Sequence, residues 1–279
     1  MLQGVMLMNS GFEILRPDHR PHGHIRAAVF DFDGTFSTLR CGWEQTMRPL
    51  MLEVLNGGNA EDAPEELQRK VDAYIDQSTG IQTVYQMRWL AEEADKAGKG
   101  NPGRDEWWYK DEYNRRLMKV VEERIRKVEN HEMKTEQFLI AGAVSFLKLL
   151  KSRGIDVYLA SGTDNEDVRH EASVLGVDGF FKEIKGAPEH KAACSKEAVM
   201  REIIEEKQIP GDRLLMIGDG KVEIALGAGC GAYTLGAATD EKSLCGVNAV
   251  KRERLMKAGA DAITGDFTDL PAIVSWMGL

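Results

Sequence analysis

Short apolar runs alternate with helical patterns over most of the chain, and this alternation predicts the fold. The first run, RAAVFD at 26–31, is short, apolar and partly β-branched or aromatic, which is typical of a buried strand. Five later segments are predicted as strands on similar grounds: DVYLAS at 156–161, GFFKEI at 179–184, RLLMIGD at 213–219, AYTLG at 232–236 and DAITG at 261–265.

Helical patterns fill most of the gaps between these strands. AGAVSFLKLLKSRG at 141–154 predicts a helix that ends on Gly154, a second runs through 166–175 and is closed by Gly176, and a third covers 195–209. Strands that alternate with helices indicate a parallel sheet covered on both faces. The predicted fold class is therefore α/β, with a Rossmann-like parallel sheet.

The stretch from 43 to 135 differs from the rest of the chain. It is rich in Glu, Lys and Arg and is helically periodic, with apolar side chains on one face of each predicted helix, and a Gly/Pro-rich break falls at 96–105. We interpret it as an inserted α-helical domain. The predicted organisation is a leader at 1–25, a core at 26–42 and 136–279, and a helical insertion at 43–135.

Composition narrows the class of protein. The chain has 279 residues, a formal charge of −9 and no basic stripe, so nucleic acid is not an expected partner. No apolar run is long enough for a membrane span, and no required protein partner is evident. The cysteines form no CxxC pair, which favours reduced thiols and a cytoplasmic location; they are Cys41, Cys194, Cys230 and Cys245.

Polar residues follow several of the predicted strands. They are DFDGT at 31–35, SGT at 161–163 and the acidic GDGKVE at 218–223, with Lys196 at a predicted helix start between the last two. In open α/β sheets, ligands bind beyond the carboxyl ends of the strands. These segments are therefore expected to surround one crevice.

Taken in this order, the segments resemble the four motifs of the haloacid dehalogenase superfamily. DFDGT matches the family's D-x-D-G-T, LASGT matches a strand ending in Ser or Thr, Lys196 matches the motif lysine, and IGDGKVE matches an acidic pair after a strand. The resemblance implies a phosphatase-type hydrolase, with the polar helical stretch as a cap domain inserted after the first motif.

The family's chemistry implies a role for each motif residue. Asp31 would attack phosphorus to form an aspartyl phosphate, and Asp33 would act as the general acid and base. Two aspartates that serve one site are expected one residue apart on a strand, since adjacent side chains point to opposite faces. Phosphate binding is assigned to Thr35, Ser161, Gly162 and Lys196. Mg²⁺ is assigned to Asp31, the Asp33 carbonyl, Asp219 and Glu223.

Several assignments stay open at this point. Lys185 and Lys191 also precede the fourth motif, and Lys196 is preferred for its spacing and its helix start. The family more often has Asp where this chain has Glu223, which would bind metal directly or through water, or would be an ordinary first-turn glutamate.

The predicted function is Mg²⁺-dependent hydrolysis of a small phosphorylated metabolite, a sugar phosphate or a similar monoester. One alternative is a phosphomutase of the same superfamily, which shares the core motifs. The other is a non-catalytic binding or regulatory module with a decayed site. The motifs select neither the natural substrate nor an oligomeric state.

Overall fold

The computed structural model describes residues 11–188 and 195–279. Its sheet has seven strands in the order β1-β7-β6-β5-β2-β3-β4. The strand at one edge, β1, is antiparallel to β7, and every other pairing is parallel. The strands are β1 (Glu13–Ile14), β2 (Ala27–Phe30), β3 (Asp156–Asp164), β4 (Glu183–Ala187), β5 (Leu214–Gly218), β6 (Tyr233–Ala237) and β7 (Ala262–Thr264).

The central strand β2 sets the position of the functional groups. Its four residues are small or apolar and fully buried, and it lies between β3 and β5. Ala28 is in register with Val157 on one side and Leu215 on the other. Because the three strands are parallel, the residues at their carboxyl ends emerge at one edge of the sheet.

Within the described residues, six helices pack around this sheet: α5 (Ala143–Ser152), α6 (Asn165–Val174), α7 (Ser195–Arg201), α8 (Lys221–Gly229), α9 (Ala249–Lys257) and α10 (Leu270–Met277). α7 continues as a wider turn over Glu202–Glu206. Gly154 and Gly176 follow α5 and α6 with φ of 70° and 68°, a conformation that glycine adopts without a Cβ penalty.

Four helices occupy the chain between β2 and β3: α1 (Glu44–Asn56), α2 (Glu65–Ser78), α3 (Thr83–Lys96) and α4 (Glu106–Glu129). The predicted break at 96–105 is the connection between α3 and α4. Tyr74 and Trp89 stack with ring centroids 3.7 Å apart and join α2 to α3. All of 43–135 is described, and no residue of it lies in a strand.

Two chain segments join these helices to the sheet and run side by side. Thr38 N donates to Phe138 O at 2.8 Å, and Ile140 N donates to Phe36 O at 3.0 Å. Arg124 of α4 also donates to the carbonyl oxygens of Leu39 and Cys41. The entry and exit segments therefore form a short two-stranded ribbon.

The structure departs from the sequence prediction in three places. GFFKEI does not form a strand over its length: 178–180 is a helical turn, and β4 begins at Glu183. β1 was not predicted, because two residues are too few to show an alternating pattern. The sequence patterns do not predict α9 or α10 either. The side chain of Asn248 caps the start of α9, and that of Asp269 caps the start of α10. Residues 1–10 of the predicted leader lie outside the described residues.

No helix in the described part of the chain combines the length and the apolar character needed to cross a membrane.

Candidate active site

The carboxyl ends of β2, β3 and β5 open onto a cavity of about 120 Å³. Asp31 directly follows β2, and its N–H donates to Ile217 O at 2.8 Å, which extends the pairing of the sheet by one residue. Asp219 directly follows β5. Both side chains line the cavity and are largely buried. The helical insertion covers its other side with Trp43, directly before α1, and with residues of α3, α4 and the α2–α3 connection.

Asp33 also lines the cavity, three residues after the end of β2. Its Oδ2 accepts hydrogen bonds from Thr163 Oγ1 at 2.7 Å and from Ser161 Oγ at 3.3 Å. Its Oδ1 is buried and has no hydrogen-bond partner in the described part of the protein. One carboxylate oxygen is thus fixed, while the other remains available to a bound molecule.

Gly34 turns the chain back after Asp33. Its φ is 75°, and a Cβ at this position would lie 2.4 Å from Asp219 Oδ2 and 3.2 Å from Glu241 Oε1. Any larger residue would collide with the acidic side chains of the site. The glycine of the first motif is therefore required both by conformation and by space.

Lys196, in the first turn of α7, joins two of the acidic groups. Its Nζ lies 2.9 Å from Asp31 Oδ1 and 2.9 Å from Glu223 Oε2. Burial alone would lower the pKa of Lys196, but the charges of Asp31 and Glu223 hold it above its ordinary value. The ammonium group therefore stays charged beside Asp31.

The two other candidate lysines differ in position. Lys185 forms ion pairs with Glu183 and Glu202 and does not line the cavity. Lys191 lies outside the described residues.

Glu223, in the first turn of α8, is fully buried. Its Oε1 accepts a hydrogen bond from Gly220 N at 2.5 Å, and its Oε2 accepts one from Lys196 Nζ. Both oxygens are therefore engaged within the protein, so Glu223 fixes Lys196 in addition to any contact with a metal.

The predicted phosphate-binding residues fall into two groups. Ser161, Gly162 and Lys196 line the cavity. Thr35 is fully buried behind it, and Gly34 rather than Thr35 forms the cavity wall. The Thr35 hydroxyl has no hydrogen-bond partner among the described residues.

Carboxylate oxygens of Asp31, Asp219 and Glu223 lie within 4.8 Å of one another. Burial raises the pKa of Asp31 well above its ordinary value; Lys196 opposes this, while Glu223, Asp219 and Asp33 add to it. Four carboxylates here share two lysines: Lys196 contacts Asp31 and Glu223, and Lys251 contacts Asp219 and Glu241. An excess of hard oxygen donors suits a divalent cation, so the residues present fit a metal site.

Sequence reasoning missed Glu241 and Lys251. Lys251 Nζ lies 2.7 Å from Asp219 Oδ2 and 2.6 Å from Glu241 Oε1. Burial raises the pKa of Glu241, and Lys251 opposes this. Neither residue belongs to a motif, and a lysine in a first helical turn is too common to stand out. Only the run of polar residues after β6 hinted at a further loop beside the site.

A buried ion cluster lies at the cap side of the cavity. Arg40 donates to Glu171 Oε1 from Nε and Nη2, at 2.9 and 2.6 Å, and to Asp167 Oδ2 at 3.0 Å. Glu171 is fully buried on α6, and burial raises its pKa to about 7 against the opposing charge of Arg40. The cluster ties the segment that enters the cap to the helix that follows β3.

A model of the haloacid dehalogenase-like hydrolases matches residues 25–231. The chain belongs to this family. Membership confirms the resemblance drawn from the motifs and places the protein among the hydrolases.

Solved structures confirm the fold of this haloacid dehalogenase-like hydrolase. A predicted phosphoglycolate phosphatase from Haemophilus somnus 129PT is similar with a TM-score of 0.61 and 17% identity, over 90% of this chain and 98% of that one. A β-phosphoglucomutase from Clostridium difficile is similar with a TM-score of 0.61 and 15% identity, over 91% and 97%. A search of curated proteins found no match to this chain.

Proposed function

We propose that this hydrolase is a Mg²⁺-dependent phosphatase that cleaves a small phosphate monoester through an aspartyl-phosphate intermediate. One observation carries the proposal. Asp31, held by Lys196, lines the same cavity as Asp33, which has one buried oxygen with no hydrogen-bond partner among the described residues, and a group of carboxylates lies beside them. A nucleophile and an acid/base at one cavity are the groups that a two-step phosphoryl transfer requires.

In the first step a carboxylate oxygen of Asp31 attacks phosphorus. The new bond joins that oxygen to phosphorus, the ester P–O bond breaks, and Asp33 gives its proton to the departing alcohol oxygen. In the second step Asp33 takes a proton from water. That water attacks phosphorus, the bond to Asp31 breaks, and phosphate leaves with Asp31 regenerated.

Phosphate oxygens are bound in this scheme by Ser161, the amide of Gly162 and Lys196, with Thr35 supporting the turn behind Gly34. The metal would be held by Asp31, the Asp33 carbonyl and Asp219, with Glu223 as the third carboxylate of the group. Mg²⁺ bound there offsets the charge of the phosphoryl group and of Asp31. Lys196 neutralises the remaining charge and fixes the oxygen of Asp31 that does not attack.

The cap side of the cavity favours a hydroxyl-bearing leaving group. Its lining offers both donors and acceptors; it includes Thr79, Thr83, Gln86, Lys110 and Asn114, and Asp164 faces them from the end of β3. Paired charges such as Lys110 and Asp164 suit hydroxyl groups better than a second anion, because the acid cancels the attraction of the lysine. A sugar phosphate or similar metabolite is therefore the proposed substrate class. We also propose a cytoplasmic location, which is compatible with the three described cysteines forming no disulfide.

A phosphomutase is the second candidate, since a solved β-phosphoglucomutase shares this fold as closely as a phosphatase does. The two differ in where the phosphoryl group goes. We expect inorganic phosphate to appear with a panel of phosphorylated metabolites and Mg²⁺ in the absence of any bisphosphate. Turnover that depends on a bisphosphate and releases no phosphate would identify a mutase. Full activity in excess chelator would contradict the metal assignment.

A further inference from the structure

Two charged residues beyond the family's motifs lie against the proposed metal site. Lys251 is in the first turn of α9, and Glu241 is in the loop between β6 and α9. The Lys251 ammonium bridges Asp219 Oδ2 at 2.7 Å and Glu241 Oε1 at 2.6 Å. Both residues follow residue 231, where the match to the family model ends.

The backbone N–H of Lys251 is held by a hydrogen bond, as its ammonium group is held by ion pairs. Asn248 caps α9, and its Oδ1 accepts from Val250 N and Lys251 N, each at 3.0 Å. The Lys251 side chain is only 12% exposed. An ammonium group held in this way has lost most of the freedom of a surface lysine.

The loop that carries Glu241 is also fixed. Asp240 N donates to Gly246 O at 3.0 Å, Gly246 N donates to Asp266 Oδ2 at 3.1 Å, and Ala141 N donates to Leu244 O at 2.9 Å. These bonds tie the loop to itself and to two other parts of the core. Glu241 is therefore presented to the cavity by a defined backbone.

α9 holds Asp219 at two points. Lys251 binds one carboxylate oxygen, and Arg254 Nη2 donates to the backbone oxygen of Asp219 at 3.2 Å. The other carboxylate oxygen, Oδ1, accepts no hydrogen bond from the described residues. The Asp219 side chain is thus held through Oδ2, and its Oδ1 can accept a ligand.

We propose that Lys251 and Glu241 are positioning residues for the divalent cation. Lys251 holds Asp219 Oδ2 so that Oδ1 faces the metal, and Glu241 holds Lys251 and offsets its charge. Without Glu241, a bare ammonium group next to the metal would repel it. The inference rests on the metal-dependent function proposed above, and it adds two residues that the motifs do not assign.

The test is metal affinity in the absence of substrate. Lys251→Gln/Glu241→Gln removes one positive and one negative charge, so the net charge at the site is unchanged and only the positioning is lost. Partners of metal-binding carboxylates typically contribute 10–100-fold to affinity. We expect Mn²⁺, followed by electron paramagnetic resonance, to bind the double variant about 10–100-fold more weakly than wild type.

The same helix offers a matched control. Glu253 and Lys257 form an exposed ion pair on α9, away from Asp219. Glu253→Gln/Lys257→Gln removes the same two charges and should leave Mn²⁺ affinity unchanged. Thermal unfolding of each variant reports whether the fold is kept.

Each outcome of the Mn²⁺ binding experiment bears on the positioning role of Lys251 and Glu241. A folded Lys251→Gln/Glu241→Gln variant with wild-type Mn²⁺ affinity would overturn the positioning role and leave the proposed function intact. If the double variant does not fold, Glu241→Gln alone keeps an acceptor for Lys251, and an unchanged affinity there would also overturn the role. Wild-type protein that binds no Mn²⁺ would overturn this inference together with the metal-dependent function.

Discussion

Lys110 of α4 places its Nζ 2.5 Å from Oδ1 of Asp164, three residues beyond Ser161. Asn114, one helical turn further along α4, donates to Oδ2 of the same carboxylate at 3.0 Å. A single acid at the end of β3 therefore receives two contacts from the inserted helices. These contacts lie beside the cavity, where they hold the cap against the core.

Replacing this acid tests the role of the cap in substrate binding. Asp164→Ala removes both contacts, and a hydrogen bond to a charged group is worth about 1.5–3 kcal/mol. We expect the KM for the best substrate to rise by about tenfold or more in steady-state assays. Glu123→Ala, which breaks an exposed ion pair with Lys127 on the same helix, is the matched control. Equal KM values in the two variants would argue against this role.

Asp31→Asn tests the nucleophile. An amide is not a nucleophile toward phosphorus, so release of phosphate from p-nitrophenyl phosphate with Mg²⁺ should fall by at least about a thousandfold. The amide fills the same space and can still contact Lys196, so circular dichroism should show an intact fold. Retained turnover would be incompatible with an aspartyl phosphate.

Asp33→Asn tests the acid/base through the leaving group. General acid catalysis contributes about 10²–10⁴-fold when the departing oxygen needs a proton. We expect a loss of that size with alkyl phosphates and a clearly smaller loss with p-nitrophenyl phosphate, whose phenolate leaves without one. Rates measured with both ester types give the comparison. Equal losses would indicate that Asp33 does not protonate the leaving group.

Glu171 predicts a pH dependence of stability. Its pKa is raised to about 7 in the folded protein, above the ordinary 4.5, so the folded state binds more protons than the unfolded state between these values. Its contribution to the free energy of unfolding therefore falls as pH rises from 4.5 to 7. Glu171→Gln removes this pH dependence. The free energy of unfolding of the variant, relative to that of wild type, should therefore rise by roughly 1–3 kcal/mol between pH 4.5 and 7.

Chemical denaturation of both proteins at several pH values measures this difference. A free energy of unfolding that changes by the same amount with pH in both proteins would contradict the raised pKa of Glu171.

The parts of the fold that sequence predicts best are those with strong local signals. β2, β3 and β5 are apolar runs of strand length, and the polar break at 96–105 falls between two amphipathic helices. Asp31 and Asp219 directly follow β2 and β5, Ser161 lies in β3 and Lys196 in the first turn of α7, and the structure brings all four to one cavity.

The rest depends on contacts between distant parts of the chain. Lys251 reaches Asp219 across 32 positions, and Arg40 reaches Glu171 across 131. The sequence around Lys251 and around Arg40 does not differ from that of an ordinary surface cation. Periodicity and spacing therefore do not predict which acid each of them contacts. The prediction of a strand over GFFKEI is wrong for a related reason: Phe180, at the end of a helical turn, and Phe181, directly after it, pack against the main core without forming a strand.

The ribbon formed by Thr38 with Phe138 and Phe36 with Ile140 has a consequence for the reaction cycle. The entry and exit segments are bonded to each other, so they must move together when the cap moves, and the few residues next to the ribbon absorb the change in φ and ψ. The cap is therefore expected to return to the same closed position in every turnover. Cap residues such as Lys110 would then be delivered to Asp164 in constant alignment, so discrimination between substrates depends on side chains in the cavity and not on variable docking.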